Sequence, residues 1–293
     1  MIRMQRDEKM IPYLFLFPYL FFFVIFFIYP IGFSFWLSFH KFRGYGEPVF
    51  VGLKNFYRLF SYSKFWVTVG NTFFYVIAHW LPTIVISFSL ALAVHESAKA
   101  VQRIAKPLIF LPQVIATVSS AMIFRIIFAK NSGVINNLLG THIGFLSDPA
   151  WMRWSVVIMM IWRAVGWFFV IFLAGLTLVS KDIEEAATID GAGFFSRTFK
   201  ITIPIMKNIF MFTFIMEAKS TLMVFVEPNI LISGGMSAPL RVKPIASMVV
   251  DNVRNGYFGQ ASAAGWLLFL LVFLVTIIQF TLFRGKSERG TNK

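Results

Sequence analysis

A polar segment between two long apolar runs holds the residue types that could do chemistry in this chain. Residues 180–207 carry four acids and four bases, whereas the sequence on either side is almost entirely apolar. Charged side chains at this density must lie in water, because burying them in an apolar medium is costly. These side chains can form the hydrogen bonds and ion pairs by which a soluble partner could bind a membrane protein.

The first part of this segment has the pattern of a short helix. Asp182 is expected to cap it, with Glu185 reaching back from the third helical position. Ala186, Ala187 and Asp190 then share one face at three- and four-residue spacing. We expect the two small side chains to let a partner approach closely and the carboxylate to offer a directional acceptor.

The second part of the segment predicts a turn and a further helical piece. Gly191 can adopt the left-handed conformation that ends a helix. A second helix is predicted from about Phe194 to Ile203, and Pro204 marks the return of the chain toward the next apolar run.

Charged residues also occur where apolar runs should cross a membrane: Arg125, Arg163, Glu217, Lys219 and, near the end of a run, Glu227. Each would cost several kcal/mol facing lipid, so each is expected to face the bundle interior, a cavity or a partner subunit. Two interpretations remain open, pairing between helices and the lining of a translocation path. The candidates for the path are Glu227, Asn229, Glu217 and Lys219.

Glu227 and Asn229 are the better path candidates, because the Pro228 between them is expected to disrupt the helix and free carbonyl groups. Such groups suit a neutral or polyol-like solute, since Glu227 would repel an anion. The four histidines (His40, His79, His95 and His142) have no helical ligand spacing, so no metal site is expected.

The composition predicts a membrane protein that contains several spanning helices. Of 293 residues, 58% are hydrophobic and 14% are charged, and the mean hydropathy is +0.73. Despite a net charge of +14, the bases are scattered over short loops, which favours lipid headgroups over nucleic acid as the counter-charge. Absence of cysteine excludes disulfides, and absence of GxxxxGK[ST] excludes ATP binding by a phosphate loop.

Six spans are predicted from the apolar runs, at roughly 12–38, 67–94, 107–128, 154–179, 208–231 and 261–283. The first run is too long for a secretory signal and is interpreted as a retained anchor. An even number of spans puts both termini on one side. If that side is cytoplasmic, the inner segments carry 14 Lys and Arg residues and the outer loops carry 10.

The basic first loop opposes this orientation, because it would lie outside with Lys41, Arg43, Lys54, Arg58 and Lys64. Termini in the cytoplasm are nevertheless predicted, since they also put residues 180–207 where ATP is available.

The run from Glu185 to Ala192, with Ile203-Pro204 further on, resembles the EAA signature of the permease subunits of bacterial ABC importers. Other segments fall in the order of that family, among them Gly52-Leu53-Lys54-Asn55-Phe56, Asn71-Thr72, Leu173-Ala174-Gly175-Leu176 and Gly259-Gln260-Ala261-Ser262-Ala263-Ala264. The chain is similar to the carbohydrate-uptake branch of the type-I, binding-protein-dependent permeases, the maltose and glycerol-3-phosphate importer kind.

This resemblance implies an all-α integral membrane protein with six transmembrane helices and a cytoplasmic EAA coupling loop between spans 4 and 5. Residues 1–66 would form the anchor helix and external loop, 67–283 the transmembrane domain and 284–293 a basic tail. The coupling residues implied for the ATPase are Glu185, Ala186, Ala187, Asp190, Gly191, Ala192 and Pro204.

The implied function is that of a non-catalytic transport subunit in the bacterial inner membrane, forming half of a pathway for a sugar-like solute. Its implied partners are a second permease (distinct or identical), two ATPase subunits and an extracytoplasmic binding protein. No cofactor is expected in this chain, since the partner ATPase would bind ATP and Mg. The alternatives are an integral-membrane lipid-modifying enzyme and a secondary transporter.

Overall fold

The computed structural model describes residues 4–284. The described chain is mostly helical, and its elements are, in order, α1 (Met4–Phe23), a π-helical turn (Val24–Ile28), α2 (Tyr29–Ser38), β1 (His40–Lys41), β2 (Val49–Phe50), α3 (Lys54–Ser61), α4 (Ser63–His95), α5 (Lys99–Val114), α6 (Thr117–Ile127), α7 (Val134–Leu139), α8 (Met152–Leu176), α9 (Lys181–Ile189), α10 (Phe194–Arg197), a second π-helical turn (Thr198–Thr202), α11 (Ile203–Ile205), α12 (Lys207–Leu222), α13 (Val226–Ser233), α14 (Ile245–Arg254) and α15 (Phe258–Arg284). Apart from Arg284, the predicted basic tail lies outside the described residues.

Six membrane spans can be counted in this order of helices. Four are single helices long and apolar enough to cross a membrane: Tyr13–Ser38, Ser63–His95, Met152–Leu176 and Phe258–Leu282. Two more are bent pairs, Lys99–Val114 with Thr117–Ile127 at 99° and Phe194–Ile205 with Lys207–Leu222 at 76°. Counting each pair as one span confirms the predicted six-span helical fold.

Two predicted spans are wrong in that they are not continuous helices. The third, predicted at 107–128, begins at Lys99 and is interrupted at Ile115 and Ala116, both in extended conformation. The fifth, predicted at 208–231, is interrupted between Leu222 and Val226. Neither interruption contains proline or glycine. The pattern of apolar residues within them therefore does not distinguish a broken span from a continuous helix.

The chain divides into two compact units. The first extends to Tyr62 and also includes Val249–Leu267, and the second comprises Ser63–Met248 and the chain from Leu268.

In the first unit, a short hairpin is held by the side chain of Asn55. His40 lies opposite Phe50 in the antiparallel pair of β1 and β2. Nδ2 of Asn55 donates to the carbonyls of Ser38 at 2.8 Å and His40 at 2.9 Å. Gly259 packs so closely on the His40 carbonyl that an added Cβ would collide with it. Asn55 and Gly259 therefore fix the chain where α2 ends.

In the second unit, α4 and α8 form the centre of the core. Phe169 and Phe172 of α8 are fully buried. Gly166 lets α5 approach α8 closely, because an added Cβ would lie 2.5 Å from the carbonyl oxygen of Ile109. Buried polar groups are paired across helices, as in the donation from Ser87 to the Val165 carbonyl at 3.1 Å.

The segment before α14 is tied to α4 by side chains on one face of that helix. Nδ2 of Asn71 donates to the Leu240 and Lys243 carbonyls at 2.8 and 3.0 Å. The hydroxyl of Tyr75 donates to the Val242 carbonyl at 2.8 Å. These bonds satisfy the carbonyls of an irregular segment that has no regular secondary structure to pair them.

Candidate functional site

A cavity of about 510 Å³ opens in the second unit among α4, α5, α8, α12 and α13. Its polar wall is formed by His79, Gln113, Arg163, Glu217, Ser220 and Glu227. Its apolar wall includes Met160, Ala164, Trp167, Phe168, Met216 and Met223. Small-molecule sites have volumes of roughly 300–1,000 Å³ and combine apolar walls with a few polar groups. The cavity can therefore hold a polar solute of modest size.

The link between α12 and α13 brings one wall of the cavity into place. Helix α12 ends at Leu222, and α13 begins at Val226. Pro228 lies in the first turn of α13, where a missing N–H costs no helical hydrogen bond. The interruption lies about one turn before Pro228 and includes Val224, whose carbonyl would clash with the proline ring in a continuous helix, so it agrees with the prediction that Pro228 disrupts the helix. Glu227 lies in that first turn and lines the cavity, as the path prediction requires.

A buried pair, His79 of α4 and Glu217 of α12, lies in the cavity wall. Nδ1 of His79 hydrogen-bonds Oγ1 of Thr221 at 3.0 Å and lies 2.8 Å from Oε1 of Glu217. Thr221 itself donates to the Glu217 carbonyl at 3.0 Å, so its oxygen accepts from the imidazole. This arrangement assigns the ring proton to Nδ1. Glu217 thus faces the bundle interior, as predicted.

A second pair, Arg163 of α8 and Glu227 of α13, lies in the same cavity wall. Nη1 of Arg163 lies 3.5 Å from Oε1 of Glu227, and their side chains are 16% and 17% exposed. Partial burial weakens solvent screening, so each charge is stabilised by the other more than in a surface ion pair. Glu227 therefore pairs between helices and also lines the cavity, and its place in a translocation path stays a prediction.

Two other path candidates do not line the cavity. Asn229 is 3% exposed, donates to Phe225 and Ser247, and accepts from the Ala238 N–H at 2.8 Å. These hydrogen bonds hold the link before α13, the loop after it and α14. Lys219 is exposed on α12. It lies two positions after Glu217, and residues two apart on a helix do not share a face. Neither residue therefore lines the cavity that contains Glu217 and Glu227.

Arg125 faces the interior of the bundle, as expected for a charge within a span. Its Nη1 donates to the Ile230 carbonyl at 3.2 Å. This bond ties α6 to α13.

The second candidate site is the polar segment from Ser180 to Ile205, where the predicted helix and turn are present. Helix α9 begins after Ser180, whose Oγ accepts from the Ile183 N–H at 3.4 Å. The N-cap is therefore Ser180, and the prediction that Asp182 caps the helix is wrong by two residues. Gly191 has a φ of +79°, as predicted for the residue that ends the helix. Its N–H donates to the Thr188 carbonyl at 3.1 Å.

The side chains of α9 divide between the protein and solvent. Ala187 is 7% exposed and faces this chain, so its predicted position on a partner-facing surface is wrong. Glu185, Ala186 and Asp190 are exposed. Ile189 is 86% exposed, an unusual position for an isoleucine in a water-exposed segment.

Beside α9 lies an open groove of about 560 Å³. It is lined by His95, Glu96, Lys181, Glu184, Glu185, Thr188, Ile189 and Arg197. Arg197 donates to Oγ1 of Thr188 at 3.0 Å and thereby ties α10 to α9. Ala192 lies between α9 and α10. After α10 the chain continues through the second π-helical turn and α11, which contains Pro204, to the bend at Met206.

Sequence reasoning missed His79, Gln113 and Ile189 as site residues. A histidine within an apolar run is a signal that could have identified His79, since such a group must find a buried partner. Gln113 carries no comparable signal, because its place on the cavity depends on the interruption after Val114.

Comparison with known proteins identifies the family. A model described as "Binding-protein-dependent transport system inner membrane component" matches residues 61–288. "Probable ABC transporter permease protein YesP" of Bacillus subtilis is 34% identical over 256 residues, which cover 84% of this chain and 82% of that protein. "Trehalose/maltose transport system permease protein MalF" of Thermococcus litoralis is 30% identical over 87% of each chain.

A solved structure agrees with the fold. A chain of a bacterial ABC transporter involved in the import of the acidic polysaccharide alginate superposes with a TM-score of 0.83 at 22% identity, covering 96% of this chain and 98% of that chain. Because the family model matches well over half of the residues, this chain belongs to the inner membrane components of binding-protein-dependent transport systems.

Proposed function

We propose that this chain is the permease subunit of an ATP-driven sugar importer, in which it forms half of the translocation pathway. The observation that carries the proposal is the cavity of about 510 Å³, whose polar groups, apart from Glu227 of α13, come from helices that form membrane spans. Polar and charged groups at membrane depth are costly and mark solute pathways. Neither a membrane-bound enzyme nor a secondary transporter fits membership of a binding-protein-dependent transport family.

A sugar is the solute class that relatives and cavity both support. The related permease named for trehalose and maltose transport covers 87% of this chain. The cavity offers several hydrogen-bonding side chains, and each of its two carboxylates contacts a basic group. An uncharged polyhydroxylated solute suits this wall better than an anion, which would meet Glu217 and Glu227.

Membership of the family supports the proposed partners. The family description names a binding-protein-dependent transport system, so a binding protein would deliver the solute. A second permease, distinct or identical, completes the pathway, and two ATPase subunits bind ATP and Mg and supply the energy. The chain spans the bacterial inner membrane several times. Both termini lie in the cytoplasm, since the inner segments then carry the larger number of Lys and Arg residues.

The segment from Lys181 to Ala192, which we call the coupling segment, is the contact with the ATPase. Its exposed face combines Glu185, Ala186, Asp190 and the 86% exposed Ile189. An apolar side chain that points into water gains free energy when a partner covers it. Ala187, Gly191 and Ala192 shape the segment, and Pro204 lies where the chain returns to span 5.

Ile189→Asp tests this contact. We expect the ATPase to be lost from the purified complex and ATP-dependent uptake to fall by about tenfold or more, because a charge replaces the apolar contact at the centre of an interface. The thermal stability of the permease should be unchanged, since Ile189 makes little contact within its own chain.

Met236→Asp is the matched control, because Met236 is 74% exposed in the loop after α13, outside the coupling segment. It should keep both ATPase and uptake. An Ile189→Asp variant that retains wild-type amounts of ATPase would contradict the assignment.

A further inference from the structure

Some of the buried polar atoms that lack a hydrogen-bond partner lie in the wall of the cavity. Among residues 13–282, Nε2 of His79 and Nε of Arg163 have no such partner, and Oε1 of Glu217 has only its ion-pair contact with Nδ1 of His79 at 2.8 Å. All three residues line the cavity. Native proteins leave few buried polar groups unpaired, so such atoms in a cavity wall call for a ligand or an ordered water.

His79 and Glu217 are the most deeply buried of these residues, with side chains 4% and 2% exposed. The proton on Nδ1 is already used toward Thr221 and Glu217, so Nε2 of the neutral ring is an acceptor. The Glu217 carboxylate, whose Oε1 lies 2.8 Å from Nδ1 of the same ring, is a second acceptor in this wall. Two acceptors in one wall match two hydroxyl groups of one solute, and a hydroxyl can also accept from Nε2 when the ring is charged.

The charges of the wall select against an anion. Glu217 contacts His79, and Glu227 contacts Arg163 at 3.5 Å. A carboxylated solute could gain a cation only by displacing one of these carboxylates, and the displaced group would then be left buried without its partner. An uncharged solute needs no such exchange.

We propose that His79 and Glu217 form a hydroxyl-binding subsite of the transport cavity, selective for uncharged polyhydroxylated solutes over their carboxylated analogues. The subsite rests on the proposed function, since it is a part of the same pathway. His79 and Glu217 contact the solute directly, whereas Thr221 is a positioning residue that holds the imidazole.

The experiment measures equilibrium binding of radiolabelled maltose, trehalose and glucuronate to the purified permease–ATPase complex without its binding protein. His79→Asn keeps a polar atom near the position of Nδ1 and removes the one at Nε2, whereas His79→Gln does the reverse. We expect His79→Asn and Glu217→Gln to bind the neutral sugar about 10- to 100-fold more weakly, because each loses a hydrogen bond to the solute. His79→Gln should be less affected.

Lys219→Gln is the matched control, because it lies on α12 outside the cavity lining and should bind as wild type. Glucuronate should bind wild type more weakly than either neutral sugar. A purely structural pair would lower the melting temperature in both His79 variants alike and leave sugar affinity unchanged in the folded protein, which would overturn the subsite. The same conclusion would follow if wild type bound glucuronate as tightly as maltose.

If the substituted proteins do not assemble, sugar binding to the wild-type complex can be measured by tryptophan fluorescence. Trp167 is 45% exposed and lines the same cavity, so sugar binding should change its emission, and Trp167→Phe should abolish that change. No Trp167-dependent change in a wild-type complex that imports the sugar would overturn the subsite and leave the proposed function standing. A wild-type complex that neither imports nor binds any sugar would contradict the proposed function itself.

Discussion

Gly191→Pro should abolish solute uptake while the permease remains in the membrane. Gly191 has a φ of +79°, and proline is restricted to a φ of about −65°. The substitution also removes the N–H that donates to the Thr188 carbonyl at 3.1 Å. The turn after α9 must then rearrange, and the coupling segment loses the shape that meets the ATPase. Uptake into membrane vesicles, together with immunodetection of the permease, measures both parts of this result.

Gly193→Ala is the control for this substitution. Gly193 lies two residues further on, with a φ of −68° and open space around the position of an added Cβ. Alanine fits there, so uptake should stay near the wild-type rate. Normal uptake by Gly191→Pro would show that the turn does not matter for coupling.

Arg163→Glu should reduce uptake by about two orders of magnitude or more. The substitution replaces the ion pair with Glu227 by a repulsion and puts three carboxylates around one cavity, counting Glu217. Removing one partner of a largely buried pair costs about 3–5 kcal/mol, because the other charge is left without compensation. Uptake of labelled sugar by cells, normalised to the amount of permease in the membrane, measures the loss.

The reciprocal exchange separates the pair from the individual residues. Arg163→Glu combined with Glu227→Arg restores opposite charges at the same two positions, so it should recover a clear fraction of uptake. Lys219→Glu reverses a charge outside the cavity lining and should have a small effect. If the double variant is as inactive as Arg163→Glu, the cavity requires the arginine itself and the pair is not the functional unit.

Local patterns were sufficient to predict the helix and turn of residues 181–192 and the number of spans. The glycine at position 191 is required by a left-handed turn, and such a requirement is visible in the sequence beside a helical pattern. The N-cap of α9 was predicted at Asp182 but is Ser180. Both residue types can cap a helix, and only the position of the first turn decides between them.

Contacts between residues far apart in the chain could not be predicted from the sequence. His79 and Glu217 are 138 positions apart, so no spacing rule links them, and they meet only because α4 packs against α12. Asn229 was expected in the path because of its polarity. The structure uses that polarity to satisfy Phe225, Ser247 and Ala238, and a single sequence does not distinguish these two uses of a buried amide.

The structure shows what some residues do in the segments that resemble the permease family. Asn55 holds the carbonyls at the end of α2, and Asn71 holds those of the segment before α14. Gly259 allows the approach of the His40 carbonyl. These residues therefore position the chain around the spans, and the resemblance they carry is one of architecture.

The most direct test of the account is sugar uptake by proteoliposomes that contain the purified complex, with ATP sealed inside and the binding protein outside. We predict uptake of labelled maltose or another neutral sugar that requires ATP, the binding protein and the ATPase subunits together. A proton gradient alone should drive no uptake. Gradient-driven uptake by this chain in the absence of the ATPase would contradict the assignment of the chain as a permease subunit coupled through residues 181–192.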